Sequence, residues 1–329
     1  MNLDTPELIF AIETVRQAAL LIRQIQAEMV TPALTKGDRS PVTMADYACQ
    51  SLVAARLAEA YPDDPLVAEE DAAALRRLEN RLTLEQVSDF VSRSLPGATP
   101  DLVCDWIDRG GASPSERYWT LDPIDGTKGF LRGDQYAVAL ALVVNGQVQV
   151  GVLGCPNLSD GYRPDLSGPG SLVTAARGRG AWTTPLATPG GFVKLSTSTQ
   201  DLPQNARILR SFESGHTNVD QIDLFAQALG VAAPPVKMDS QAKYAVQAAG
   251  HGELYLRLLS PDQPNYKEKI WDQAAGSLIL EEAGGQISDL HGRPLDFTAG
   301  RSLADNRGIL ASNRRLHAAA LEALRRIGA

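Results

Sequence analysis

Apolar residues recur at helical spacing near the start of the chain, at Ile9, Ile12, Val15, Ala19, Ile22 and Ile25, and predict an amphipathic core-facing helix over 6–30. Glu13, Arg16 and Arg23 break any apolar span, and the segment lacks the basic start and apolar block of a signal peptide. A polar stretch, TKGDRSPVTMADY, separates it from a second helical pattern at Ala48, Leu52, Ala55 and Leu57. DDPLVAEED then reads as a short strand entering an acidic turn. Residues 72–117 are rich in charge and broken by LPGATPD and RGGASPSER, the pattern of a mobile insert or lid.

The period changes to two in YAVALALVVNGQVQVGVLGCP, where two β-rich runs flank Asn145-Gly146, a dipeptide suited to a type I′ hairpin. SLVTAARGRGAWTT predicts another strand pair, with Gly178 to Gly180 marking a bend. From about Ser196 strands and helices alternate: ARILRS, NVDQIDLFAQALG, SQAKYAVQAAG, GELYLRL, and WDQAAGSLILEEAGG ending at Gly284-Gly285. We divide the chain on this pattern into an α+β part, 1–195, and a smaller α/β part, 196–329.

Composition narrows the partners. The 329 residues carry 31 Lys and Arg against 39 Asp and Glu, a net charge of -8, so polymeric nucleic acid is an unsuitable ligand and no membrane segment is expected. Cys49, Cys104 and Cys155 have no C-x-x-C spacing and are odd in number, which suits a reducing, cytoplasmic setting.

The chemistry centres on YWTLDPIDGTKGF, residues 118–130. Pro123 and Gly126 oppose regular structure and predict a turn leaving a strand that ends near Leu121. If DGTKGF opens a helix, the amides of Gly126 and Thr127 face a phosphate, while Asp122 and Asp125 on the same rim repel it unless cations lie between. Glu69 in VAEED, Asp272 in KIWDQAAG and Asp46 in PVTMADY offer further carboxylates, although each could equally be a helix cap or a solvated turn. The four histidines lack metal-ligand spacing, which leaves an oxygen site suited to Mg²⁺. Two such ions about 3.5–4 Å apart could serve an in-line displacement. Walker, nucleophile-elbow and Rossmann fingerprints are absent.

Together, VAEED, LDPIDGTKGF and WDQAAGSLILEEAGG resemble the signature set of the inositol monophosphatase superfamily. GDRSPVTMADYACQ, DPIDGTKGFLRGDQYAVALAL, DSQAKYA and YLRL followed by YKEKIWDQAAG are similar to its 3′(2′),5′-bisphosphate nucleotidase branch. The resemblance implies a layered αβαβα sandwich. It also implies Mg²⁺-dependent, lithium-sensitive removal of the 3′-phosphate of adenosine 3′,5′-bisphosphate to leave AMP. A second substrate, 3′-phosphoadenylyl sulfate, would place the chain in sulfur assimilation.

By the same resemblance Glu69, Asp122, Asp125, Asp272 and the carbonyl of Ile124 hold two or three Mg²⁺. Thr127, hydrogen-bonded to Asp46, takes the proton of an attacking water, and Gly126 and Thr127 receive the phosphate. His216, Ser240, Lys243 and Arg257 contact the nucleotide, Lys243 and Arg257 supplying charge for the 5′-phosphate. The expected partner is this small molecule alone, on a monomer or weak homo-oligomer. The alternatives are an inositol phosphate or sugar phosphatase and a non-catalytic phosphonucleotide sensor. The resemblance supplies no counterpart for residues 72–117.

Overall fold

A computed structural model of the chain describes residues 4–30, 40–188, 190–212, 219–260 and 263–329. Helix α1 (Pro6–Ile25) begins where the Thr5 hydroxyl accepts the Leu8 N–H and Pro6 fills the first turn, a position whose N–H has no helical partner in any case. The helix passes into a π-helical turn over Gln26–Val30, so the periodic run ends in a wider coil than a single α-helix. Its buried stripe, including Leu8, Val15, Ile22 and Ile25, packs with α2 (Ser40–Ala60). Helix α2 starts inside the stretch read as a polar connection. Asp46 therefore lies in its second turn and not at its start, Pro41 being tolerated so near a helix end.

Strand β1 (Leu66–Ala68) pairs in parallel with β2 (Arg117–Asp125). The connection between them carries α3 (Arg81–Ser92) and α4 (Pro100–Asp108). Val87, Phe90, Val91, Val103 and Ile107 bury these helices in the same cluster as α2, and Arg76 ties to Asp105 and Asp108. The segment with the composition of a lid is thus a buttress, and none of its described residues lines the central cavity.

Strand β2 also runs further than expected, to Asp125. It does so across a register break between Asp122 and Asp125, where two residues, Pro123 and Ile124, stand against the single Val138 of β3 (Ala137–Val144), one residue more than the ladder needs. A bulge is where a strand tolerates proline, and it turns the aspartates out of the sheet's regular alternation. Helix α5 (Thr127–Arg132) follows at once.

The hairpin from β3 to β4 (Gln147–Cys155) turns at Asn145 and Gly146, with φ of 51° and 74°, as a type I′ turn demands. Strands β5 (Leu158–Ser159) and β6 (Arg163–Pro164) make a separate ribbon. Strands β7 (Ser171–Ala176), β8 (Ala181–Pro185) and β9 (Val193–Lys194) complete a seven-stranded sheet of order β1-β2-β3-β4-β7-β8-β9. Gly178 and Gly180 belong to the connection between β7 and β8, not to a bend within a strand.

A five-stranded sheet of order β11-β10-β12-β14-β13 follows, built from β10 (Ile208–Arg210), β11 (Val236–Lys237), β12 (Leu254–Arg257), β13 (Gln286–Ser288) and β14 (Ile309–Ser312). Its helices are α6 (Val219–Leu229), α7 (Ala242–Ala248), α8 (Ala274–Glu282) and α9 (His317–Ile327).

The period of two along each strand sets the layers. Leu140 and Leu142 of β3 face α1 and α2, whereas Ala139, Ala141 and Val143 face a second cluster with Ala245 of α7 and Leu278 of α8. Tyr255 of β12 joins that middle cluster from the other sheet, and Leu254 and Leu256 point away into a third, with Phe225 of α6 and Leu324 of α9. The order is helix, sheet, helix, sheet, helix, the αβαβα sandwich. All three cysteines are buried and free. Among the described residues no helix is long and apolar enough to cross a membrane.

Candidate active site

Six chain segments meet at one cavity of about 740 Å³: the turn after β1, the β2 bulge with α5, the end of β10, the start of α7, strand β12, and the turn before α8. Its walls include Glu69, Asp122, Ile124, Asp125, Gly126, Thr127, Ser240, Lys243, Arg257 and Asp272. Residues spread over 204 positions of sequence therefore meet because both sheets deliver strand ends to the same place. Asp46 is buried in α2, which packs on α5, but it does not line this cavity, and the hydrogen bonds of the described residues include none between it and Thr127. His216 lies outside the described residues.

Asp122 is 2% exposed, and its Oδ1 is buried with no hydrogen-bond partner. A carboxylate oxygen left so is costly, and here its cost shows in the pKa. Burial first, then the charges of Glu69, Asp125, Asp272 and Asp46, push the Asp122 carboxyl well above the usual range. Asp272 is raised in the same way by burial, Asp125 and Glu268. Glu69 has an accessible side chain at the mouth, yet the surrounding chain desolvates it. With Glu70 and Asp125 adding repulsion, it is raised to about 7.

Burial comes first and mutual repulsion adds to it, and Lys269, Lys243 and Arg257 offset only part of the rise. Among the described residues no three of the His, Cys, Asp or Glu side chains close on a point as a finished metal cage. An orphaned buried carboxylate oxygen within a group of acidic side chains is a donor set of the kind a hard cation takes.

Asp125 differs in having support. Its Oδ2 accepts the Gln241 N–H at 2.6 Å, and burial raises its pKa against the pull of Lys243. Lys243 is fully enclosed, donating to Ser211 Oγ and the Met238 carbonyl at 3.3 Å each and sitting 4.9 Å from the centre of the Tyr255 ring. Burial pushes its pKa down to about 8, while Asp125 holds it up. Arg257 reaches the cavity wall, and its guanidinium pairs with Glu268 at 3.0 Å.

Gly126 has φ of 92°, and a Cβ there would come within 2.9 Å of the Ser240 Cβ, so the turn and the neighbouring segment both require glycine. Ser240 itself sits at φ 65°, a strained setting for a residue other than glycine.

Sequence reasoning missed the amides behind these groups. Gln241 donates from Nε2 to the Trp271 carbonyl at 3.0 Å and accepts the Gly276 N–H at 3.1 Å, tying the Asp125 turn to the Asp272 turn. Gln273 donates to Glu268 at 3.0 Å and accepts from the Tyr244 hydroxyl at 2.5 Å. Both are glutamines beside apolar runs in SQAKYAV and WDQAAGSLIL, the one signal that they were destined for burial.

Comparison with known proteins agrees with this geometry. Residues 4–329 match the Inositol monophosphatase family. A 3′(2′),5′-bisphosphate nucleotidase of Schizosaccharomyces pombe is 40% identical over 333 residues, covering 95% of this chain and 93% of that one. One of Oryza sativa is 41% identical over 338 residues, covering 97% and 93%. Among solved structures, Mycobacterium tuberculosis SuhB superposes with a TM-score of 0.63 at 22% identity, over 98% of each chain. An inositol monophosphatase from Anabaena does so with 0.62 at 21%, over 97% of each. These two show the same fold.

Proposed function

The chain belongs to the inositol monophosphatase family, and we propose that within it the protein is a Mg²⁺-dependent phosphatase. Its substrate is adenosine 3′,5′-bisphosphate, from which it removes the 3′-phosphate, with 3′-phosphoadenylyl sulfate as a second substrate in the cytosol. The observation that carries this reading is the buried, unpartnered Oδ1 of Asp122 among Glu69, Asp125 and Asp272. The choice of a bisphosphate nucleotide rests on the names of the relatives.

Glu69, Asp122, Asp125, Asp272 and the carbonyl of Ile124 are the groups to hold two or three Mg²⁺. When bound, the metal supplies Lewis-acid activation of water and neutralises charge on the phosphate. Gly126 and Thr127 line the wall where the phosphate rests. Thr127, on the cavity wall, orients the attacking water, and the assignment of Asp46 as the group that takes its proton rests on the family resemblance, since Asp46 is buried in α2 and does not line the cavity. The attack is in line, on phosphorus, with the 3′-oxygen leaving and no covalent intermediate.

Ser240 and Lys243 face the same space from the second sheet's side, and Lys243 supplies the cation for the second phosphate. Arg257, already neutralised by Glu268, contributes the planar face of its guanidinium to the nucleotide. His216 is assigned to the same nucleotide from sequence alone.

The test is phosphate release with Mg²⁺ from adenosine 3′,5′-bisphosphate, inositol 1,4-bisphosphate, inositol 1-phosphate and fructose 1,6-bisphosphate, with and without lithium. Selective, lithium-blocked release from the first supports the reading. Preference for an inositol or sugar phosphate replaces the substrate but keeps the site, and binding without release replaces the enzyme with a sensor.

A further inference from the structure

Glu69 has a structural weakness. It follows a strand of three residues, its side chain is accessible, and Glu70 and Asp125 repel it. Left to those forces, the turn would move outward. Its backbone is instead held on both sides by buried or half-buried side chains from distant parts of the chain.

On one side, Arg301 donates to the carbonyl of Ala68, the residue before Glu69, and to those of Gly110 and Ala112 at 3.1 Å each. The same guanidinium lies 4.9 Å from the centre of the Trp271 ring, next to Asp272, and the Arg301 carbonyl accepts the Ile270 N–H at 3.3 Å. One residue thus touches the turn bearing Glu69, the turn bearing Asp272 and the end of the 72–117 buttress.

On the other side, Gln50 of α2, wholly buried, grips both polar groups of the Glu70 backbone. It accepts the Glu70 N–H at 3.0 Å and donates to the Glu70 carbonyl at 2.7 Å, while a further bond to the Ile107 carbonyl at 2.8 Å joins it to the end of α4. The fit leaves no slack, because a Cβ on Gly110 would come 2.4 Å from Gln50 Nε2 and 2.9 Å from the Ala68 Cβ. Gly110 also accepts the Ala68 N–H at 2.9 Å.

We propose that Arg301 and Gln50 are positioning residues which, with residues 107–112 of the buttress, fix Glu69 relative to Asp272 and so set the affinity of the site for its divalent cation. The proposal rests on the metal-dependent reading above. Neither residue touches substrate. Each acts by preventing like-charged carboxylates from drifting apart before the cation arrives, so that reordering the turn does not oppose binding.

The experiment is calorimetric titration of Mg²⁺ into the metal-stripped full chain, with the metal-free unfolding temperature recorded for every variant. Arg301→Ala and Gly110→Ala are expected to weaken Mg²⁺ binding by about tenfold or more, and Arg301→Lys, which keeps charge but loses the fork, by less. Arg76→Ala loosens the same buttress through Asp105 and Asp108, away from Glu69, and is expected to change affinity by less than about twofold. Gly110→Ala removes no charge and stands in if Arg301→Ala fails to fold. Wild-type affinity in Gly110→Ala and Arg301→Lys would overturn the proposal, as would a loss in every variant, Arg76→Ala included, that merely follows unfolding temperature. Failure of the wild-type protein to bind Mg²⁺ would instead overturn the metal-dependent reading, and is visible without any variant.

Discussion

Asp122 and Asp289 are both aspartates withdrawn from water, 2% and 0% exposed, and their surroundings treat them in opposite ways. Asp289 accepts from the backbone of His291 and Arg293 at 2.9 Å, from the backbone of Arg307 at 3.3 Å, and from Nε and Nη2 of Arg293 at 2.9 and 2.7 Å. Burial pushes its pKa up, but those donors, Arg293 foremost, hold it below the usual carboxylate range. Asp122 has an oxygen with no donor and four acidic neighbours. A fold that satisfies one buried carboxylate five times over has the means to satisfy another. The difference separates a carboxylate that organises a turn from one held for a ligand.

The comparison breaks first, and by the largest margin, on substitution. Asp122→Asn is expected to lower bisphosphate hydrolysis by about a thousandfold or more, equivalent to about 4 kcal/mol of barrier. The metal-free variant should unfold at or above the wild-type temperature, since an amide relieves repulsion. Asp289→Asn should do the reverse, retaining Mg²⁺ affinity while losing about 2–3 kcal/mol in urea unfolding, because its charge-assisted bonds are lost. A stability loss in Asp122→Asn as great as that in Asp289→Asn would make both residues merely structural.

The pH dependence of metal-free stability sharpens the same contrast. His317, buried between Ser288 and Ser312, has its pKa lowered to about 4. A base lowered in the folded state releases its proton on folding, so its contribution is present above about pH 6.5 and is lost as pH falls toward 4, by up to about 3 kcal/mol. Glu69, raised to about 7, has the opposite sign: stability is present at low pH and is lost as pH rises from the ordinary glutamate range through 7. His317→Asn should flatten the acid limb and Glu69→Gln the rise-through-neutral limb. Identical pH profiles for both variants would erase the distinction between the two regions.

The smallest effect concerns the cation at the centre. Lys243→Ala is expected to raise KM for adenosine 3′,5′-bisphosphate by about thirtyfold, near 2 kcal/mol, and to spare simple monophosphates. Equal loss on both substrate classes, measured by initial rates, would move Lys243 from the second phosphate to the support of Asp125, with which it already interacts.

Much of the layout was legible without coordinates. The Asn145-Gly146 hairpin, the alternating strands and helices after Ser196, and the family likeness of three short segments all follow from local rules of period, turn chemistry and motif, and the family match bears out the likeness. Other readings failed where local rules were overruled. Pro123 predicted the end of a strand, but the ladder continues past it through a bulge, because β3 supplies pairing on both sides. Residues 72–117 had the polarity of a lid, but Val87, Phe90, Val103 and Ile107 fall on faces that bury against α2 once the helices form. The pairing of Arg257 with Glu268, eleven residues on, arises only when β12 and the turn before α8 meet.

The sequence by itself determined which groups could do chemistry: the carboxylates, the glycine that permits the turn at 126, and the absence of soft-metal spacing, each a property of residue type and near neighbours. Tertiary structure alone decided which of those groups go unsatisfied. Asp289 takes four of its five donors from the turn it opens, His291 and Arg293, and only the Arg307 amide from farther off, whereas three of the four acidic neighbours of Asp122, Glu69, Asp272 and Asp46, come from remote segments. Electrostatic cost depends on what the fold brings within a few ångströms, and for Asp122 that is fixed by contacts remote along the chain, while for Asp289 a local turn supplies most of the compensation.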